Sequence, residues 1–258
     1  MTNWPQVTIG IITYNRPHEI RLTLQGLAQH FRYPGQVTVV IADDCTPGNY
    51  LMDLYGWWQD SGTANGLNWA FKPMSTVQNG GWGRNANHLL HYAFDTLKTD
   101  YLFFMEDDYV LTRPLDLAPG VALMETERSL GMLRYRATAG TPMRYMQHET
   151  DIRAWLPDYR EYHGYTQAKL TWLELLAGSP TLWLYSNGPH LRRRNFHEIY
   201  GLYPEGLKLG ATEEHYAHMV KEKMNAHPDT PKIGVLPEWV YMHWAHIGKS
   251  YQGTEFDK

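Results

Sequence analysis

Three consecutive carboxylates, Glu106-Asp107-Asp108, end the apolar run Tyr101-Leu102-Phe103-Phe104-Met105. Acids so placed repel one another unless a cation or a hydrogen-bond network neutralises them. A second pair, Asp43-Asp44, ends the apolar run 37–42, and Gly80-Gly81-Trp82-Gly83 lies between the two acid groups. Oxygen donors of this kind suit a hard divalent cation and, through it, a phosphate-bearing ligand. Taken alone, 106–108 also reads as a solvated acidic turn. Two acid-tipped strands with a glycine-rich turn between them describe a nucleotide site with a metal.

The elements that must position these residues form a β-α-β-α-β series. Val7–Thr13 reads as a buried strand, and Asn15-Arg16-Pro17 opens a helix with proline near its first turn. Ile20, Leu24, Leu27 and Phe31 give that helix an apolar face. Residues 37–42 form a second strand, Asn68–Phe71 a short third, and 101–105 another. The helix after Gly83 carries Ala86, Leu89, Leu90, Ala93, Phe94 and Leu97 on one face. Short connections between such elements predict a doubly wound, mostly parallel sheet, whose strand C-termini are where these folds hold ligands.

In the second half, Leu130–Tyr135 and Thr181–Tyr185 read as strands, and 166–177, His190–Tyr200 and Thr212–Met224 as helices. Lys232–Trp244 reads as a strand interrupted at Pro237. With no repeat or linker, one domain is expected over 1–258, divided functionally into residues 1–115 and 116–258.

Of the 258 residues, 43% are hydrophobic and 19% charged, which suits a globular chain. A net charge of -4 argues against a nucleic-acid or anionic-membrane surface. The single cysteine, Cys45, allows no internal disulfide and fits a reducing, cytoplasmic setting. A strand beginning at Val7 leaves no room for a signal peptide, and no apolar stretch reaches the ~18 residues needed to span a bilayer.

Neither G-x-G-x-x-G after the first strand nor G-x-x-x-x-G-K-[ST] is present, so dinucleotide and P-loop readings lose their support. Instead, Thr13-Tyr14-Asn15-Arg16-Pro17, Asp43-Asp44, Gly83-Arg84-Asn85-Ala86-Asn87 and Glu106-Asp107-Asp108 resemble glycosyltransferase family 2, in the family's order and approximate spacing. The resemblance implies a GT-A fold, a nucleotide-diphosphate sugar donor (a UDP-sugar expected), Mn²⁺ or Mg²⁺, and inversion at the anomeric carbon.

By the same resemblance, Thr13 and Asn15 touch the nucleoside and Arg16 reaches a phosphate, unless it is a surface cation at a helix start. Asp44 accepts from the base, while Asp43 caps a turn. Arg84 and Asn85 match the family's arginine-asparagine pair, with Trp82 and Asn87 as departures. Asp108 is the expected metal ligand, Asp107 contacts the ribose or a metal-bound water, and Glu106 is a second ligand or a strand-end acid. Glu213-Glu214 resembles the family's catalytic-acid element with glutamate for aspartate. That makes Glu214 the expected base and Glu213 its neighbour; the alternative is Thr212 as N-cap with acids in the first turn. His246, or else His243, would complete the metal site, and Lys249 would close on the diphosphate. Arg192-Arg193-Arg194 binds an anion or forms a solvated helix face, and the aromatic stretch 155–172 forms an acceptor lid or core. The acceptor is an unspecified hydroxyl. A nucleotidyltransferase, or a binding domain without turnover, is the competing function.

Overall fold

A computed structural model of the chain describes residues 4–61, 69–111, 114–138, 171–173, 185, 187–227 and 230–243. Strand β1 (Val7–Thr13) and strand β3 (Val37–Asp43) are buried along their whole length, as an apolar run covered on both faces must be. Between them run α1 (Pro17–His30), with Pro17 at its start, and the two-residue β2 (Phe31–Arg32). Helix α2 (Tyr50–Asp60) leads to β4 (Trp69–Ser75), and α3 (Gly81–His91) continues through a π-helical segment (Tyr92–Thr96) into β5 (Tyr101–Glu106). The predicted third strand thus runs further than expected, to Ser75. Helix α2 was not legible in the sequence because only Leu54 and Trp58 of it are fully buried, too few to set a helical period.

After β5 come β6 (Tyr109–Leu111), β7 (Leu115–Asp116), α4 (Ala118–Thr126), β8 (Leu130–Thr138) and β9 (Thr171–Leu173). Strand β10 (His190–Arg193), α5 (Arg194–Tyr200), α6 (Leu209–Ala226) and β11 (Lys232–His243) follow. The main sheet has the order β4-β3-β1-β5-β10-β8-β11-β6, with β9 alongside β11, while β2 and β7 pair separately. The first four strands are parallel; β10 enters antiparallel between β5 and β8.

Alternation divides the core. Ile9, Ile11, Val39, Ile41, Phe103 and Met105 pack with α1, α2 and α4 on one face. Ile12, Val40, Ala42, Leu102 and Phe104 pack with α3, α5 and α6 on the other. The chain moves outward from β1 through β3 to β4, then returns by α3 to place β5 on the other side of β1. The strand order therefore reverses between β1 and β5, and the C-terminal ends of strands at such a reversal are the usual ligand position in these sheets.

Three expectations change. His190–Tyr200 is not one helix: His190–Arg192 pairs with both β5 and β8, and sheet pairing overrides local helical preference before α5 begins. Within the predicted helix 166–177, Thr171–Leu173 is a strand on β11, and the remainder lies outside the described residues. Of the predicted strand 181–185, only Tyr185 is described, and it is not in a strand. The interruption at Pro237 appears as a register shift between Leu236 and Trp239, where a residue without N–H interrupts the ladder.

Candidate active site

Asp107 and Asp108 form the turn leaving β5 and are 3% and 1% exposed. From the neighbouring strand, the Thr13 hydroxyl donates to Asp107 Oδ2 at 2.7 Å, which leaves its oxygen to accept from Tyr50, 2.9 Å away on α2. Thr23 of α1 donates to the Asp107 carbonyl at 2.6 Å. Asn15 sits in the left-handed region at φ 52, and its N–H donates to Thr46 Oγ1. Asparagine tolerates that conformation, which sharpens the turn between β1 and α1. Arg16 follows, and its Nη1 lies 3.0 Å from both Asp107 Oδ1 and Asp108 Oδ2. Two strand ends and one loop are thereby tied to the same pair of acids.

The charges there are unbalanced. Burial raises the Asp107 carboxyl from 3.8 to about 7; Arg16 pulls it down and Asp108 pushes it further up. Glu106 is raised well above its ordinary value by burial, then by the charges of Asp108 and Glu213. The indole N–H of Trp82 donates to Glu106 Oε1 at 2.6 Å and opposes that shift. Arg16 pairs with Asp107 and Asp108, while the charge of Glu213 bears on Glu106 beside them. Among the described residues no three His, Cys, Asp or Glu side chains converge on a point that could hold a metal. Donor type and excess negative charge nevertheless suit a hard divalent cation.

Asp43 and Asp44, at the end of β3, divide their work. Asp43 accepts from Thr46 and Ser75, a turn-capping role. Asp44 Oδ1 accepts from Gly80 N–H at 2.9 Å and Thr76 at 3.1 Å, and Oδ2 from Gly81 N–H at 2.7 Å. Its carboxylate thus ties β3 to the turn that starts α3. Asn85 donates to the Ala42 carbonyl at 2.8 Å and lies 3.5 Å from that of Thr13, stapling the ends of β3 and β1, while Arg84 is half-buried. Asn87 accepts from Tyr203 N–H and donates to Tyr203 O and Glu205. At Gly83 a Cβ would stand 2.2 Å from the Pro204 carbonyl, so only glycine lets α3 and the loop before α6 approach this closely.

Helix α6 begins at Leu209, so Thr212 is inside it, bonded to the Lys208 carbonyl at 3.1 Å, and is not the N-cap. The two acids that follow have different surroundings. Glu213 accepts from Asn187 N–H at 2.8 Å and its charge bears on Glu106 and Tyr109. Glu214 is exposed. The Arg192–Arg194 cluster is likewise divided: Arg192 is fully buried on β10, contrary to a solvated helix face, and Arg194 pairs with the exposed Asp95. His246, Lys249 and most of the aromatic stretch 155–172 lie outside the described residues. The backbone of His243 is in register with Tyr109, so β11 ends beside the acid turn. Tyr50, Thr23 and Asn187 were not legible as site residues, because each reaches the site through a contact distant in sequence.

A four-stranded parallel half with acids at its switch point, extended by antiparallel β10 into a second half, is the GT-A architecture. The chain belongs to glycosyl transferase family 2, whose model matches residues 8–190. S. aureus TarS 1–349 in complex with UDP-GlcNAc is similar in fold at 18% identity and a TM-score of 0.60, covering 98% of this chain and 60% of that one. A longer S. aureus TarS chain, at 19% identity and TM-score 0.58, covers 92% of this chain, which spans 36% of it. The mannosyltransferase PcManGT from Pyrobaculum calidifontis in complex with GDP-Man and Mn²⁺ is 16% identical with TM-score 0.55, covering 91% and 57% of the two chains. The chain spans at most 60% of these three relatives. Among curated proteins none matches it.

Proposed function

We propose that the chain transfers a sugar, with inversion, from a nucleotide-diphosphate donor to a hydroxyl acceptor. The observation that carries this reading is the meeting of Thr13, Arg16, Asp107 and Asp108 at the ends of β1 and β5, with the charge of Glu213 bearing on the adjacent Glu106. Complexes of relatives with UDP-GlcNAc and with GDP-Man support a nucleotide sugar, and UDP is the assigned carrier. Residues 1–115 supply the donor half and 116–258 the acceptor and base half of one domain. The single Cys45 supports a cytoplasmic setting, and no helix among the described residues is long and apolar enough to cross a membrane.

In this reading Asp108 and Asp107, with Glu106 behind them, hold Mn²⁺ or Mg²⁺. Bound there, the ion would stabilise the negative charge that develops on the departing diphosphate. Thr13 and Asn15 line the nucleoside position, and Asp44, Arg84 and Asn85 shape the turn beside it. Arg16 holds the two acids in place until the donor enters, then faces its phosphates. His246 and Lys249, three and six residues beyond the end of β11, are assigned to the metal and the diphosphate. The base is assigned to Glu213 in preference to Glu214, because Glu213 is the acid held against the site. It takes the proton from the acceptor hydroxyl as that oxygen attacks the anomeric carbon from the face opposite the diphosphate.

Thermal-shift measurements with UDP, GDP, CDP and dTDP, each with and without Mn²⁺, test the donor reading. One nucleotide should stabilise the protein in a metal-dependent way, and Asp108→Asn should abolish that dependence. Metal-independent stabilisation, or none, would sink the proposal. Glu213→Gln should keep donor binding and lower transfer by about 10²-fold or more. Glu214→Gln should be nearly silent.

A further inference from the structure

Arg192 is fully buried, and among the described residues no carboxylate is paired with it. An uncompensated buried cation is costly, so what it binds needs an explanation. Its guanidinium lies over the rings of Phe196 and Tyr203, at 4.9 Å and 5.8 Å, and its Nη1–H donates to the Tyr203 hydroxyl at 3.0 Å. The Tyr203 and Tyr185 hydroxyls are hydrogen-bonded to each other. Tyr185 then donates to Asn187 Oδ1 at 3.0 Å, and the Asn187 backbone N–H donates to Glu213 Oε1 at 2.8 Å.

The direction of this chain is forced. A guanidinium can only donate and an amide oxygen can only accept. Tyr185 commits its single proton to Asn187, so Tyr203 must give its own to Tyr185. Every proton along the path points from Arg192 towards Asn187. Burial holds both phenols above their ordinary range, so they remain donors at neutral pH. The same Tyr203 is gripped at its N–H and carbonyl by Asn87 of α3, which ties the start of the path to the donor half.

We propose that Arg192, Tyr203 and Tyr185 are positioning residues, a buried relay that fixes the Asn187 peptide against Glu213 and so orients that carboxylate in the site. One carboxylate oxygen is committed to the Asn187 N–H, and the other receives the proton from the acceptor. The inference rests on the reading of Glu213 as base, and its test separates the two.

Tyr185→Phe and Tyr203→Phe delete the hydroxyls without changing ring volume. Hydrogen exchange at the Asn187 amide needs no donor: in either variant it should quicken about fivefold, the equivalent of one net hydrogen bond, while other buried amides hold their protection. In hydrolysis of UDP-GlcNAc or GDP-mannose with Mn²⁺, kcat should fall about tenfold at unchanged donor KM. The double variant should be little worse than either single one, because one chain is broken in both cases. Arg192→Lys, which keeps a donor and the charge, should retain more activity than Arg192→Met. Tyr185→Phe leaves the acceptor of Arg192 in place and keeps the test readable if Tyr203→Phe does not fold. Unaltered Asn187 exchange in the Tyr185 variant would overturn the relay, as would a loss of protection spread evenly over the core. If Glu213→Gln hydrolyses donor at the wild-type rate, the base assignment falls, and the Asn187 exchange result still decides the relay.

Discussion

Replacing Asp107 by Asn should make the metal-free protein more stable at pH 8 and slightly less stable at pH 4. In the wild type this carboxyl is raised from 3.8 to about 7, chiefly by burial. Because the folded value lies above the unfolded one, the folded state keeps a proton that the unfolded state has lost between those pH values. Stability therefore falls as pH rises through that window and levels off above it. Roughly three pH units at about 1.4 kcal/mol each give a loss of about 4 kcal/mol by pH 8. Asparagine cannot ionise and escapes this loss. It gives up one of the two accepted bonds, from Thr13 at 2.7 Å or Arg16 at 3.0 Å, which costs about 1 kcal/mol at every pH. The variant should thus lead by about 3 kcal/mol at pH 8 and trail by about 1 kcal/mol at pH 4. Urea unfolding followed by tryptophan fluorescence in EDTA, from pH 4 to 8.5, measures both. If variant and wild type lose stability in parallel across that range, burial of Asp107 is not what perturbs the site.

Gly83→Ala should destabilise by about 1–3 kcal/mol in thermal unfolding, since its Cβ meets the Pro204 carbonyl at 2.2 Å and backbone must move. Asp44→Ala leaves Gly80 N–H without its acceptor and Gly81 N–H with only its longer bond to Asn79 at 3.3 Å, so a loss of about 1–3 kcal/mol in urea and weaker nucleotide binding by titration calorimetry are expected. Trp82→Phe removes the hydrogen bond that holds Glu106 down; its carboxyl should rise further, and the metal-free variant should go on losing stability to higher pH than the wild type in urea unfolding.

Much of the parallel half was legible because its signals are local. The buried run 101–106 and its acids are contiguous, so both the strand and its charged tip can be read without a partner. The same holds for 7–13 with Arg16 and for 37–44. Roles were less legible than positions. Asp44 reads as a base contact, and its carboxylate also ties down the turn that starts α3, a geometry visible only once β3 and α3 are docked. Asn87 looked like a departure from a motif and proves to be the clamp on Tyr203, a contact spanning 116 residues. His190–Arg193 has the composition of a helix start; its place between β5 and β8 makes it a strand.

The sequence by itself determined the family, the parallel half and the acids at its strand ends, because period, turn chemistry and charge are properties of neighbouring residues. Tertiary structure decided which acids act together. Glu213 and Glu214 are adjacent and chemically identical, but a helix turns about 100° per residue, so docking one against Asn187 leaves the other in solvent. Arg192 and Arg193 part by the alternation of a strand: the first goes to one face, onto Tyr203, and the second to the other, over the Tyr101 ring. Neighbouring residues in a sequence cannot show which of two equal side chains faces the site; that follows only from what each face packs against.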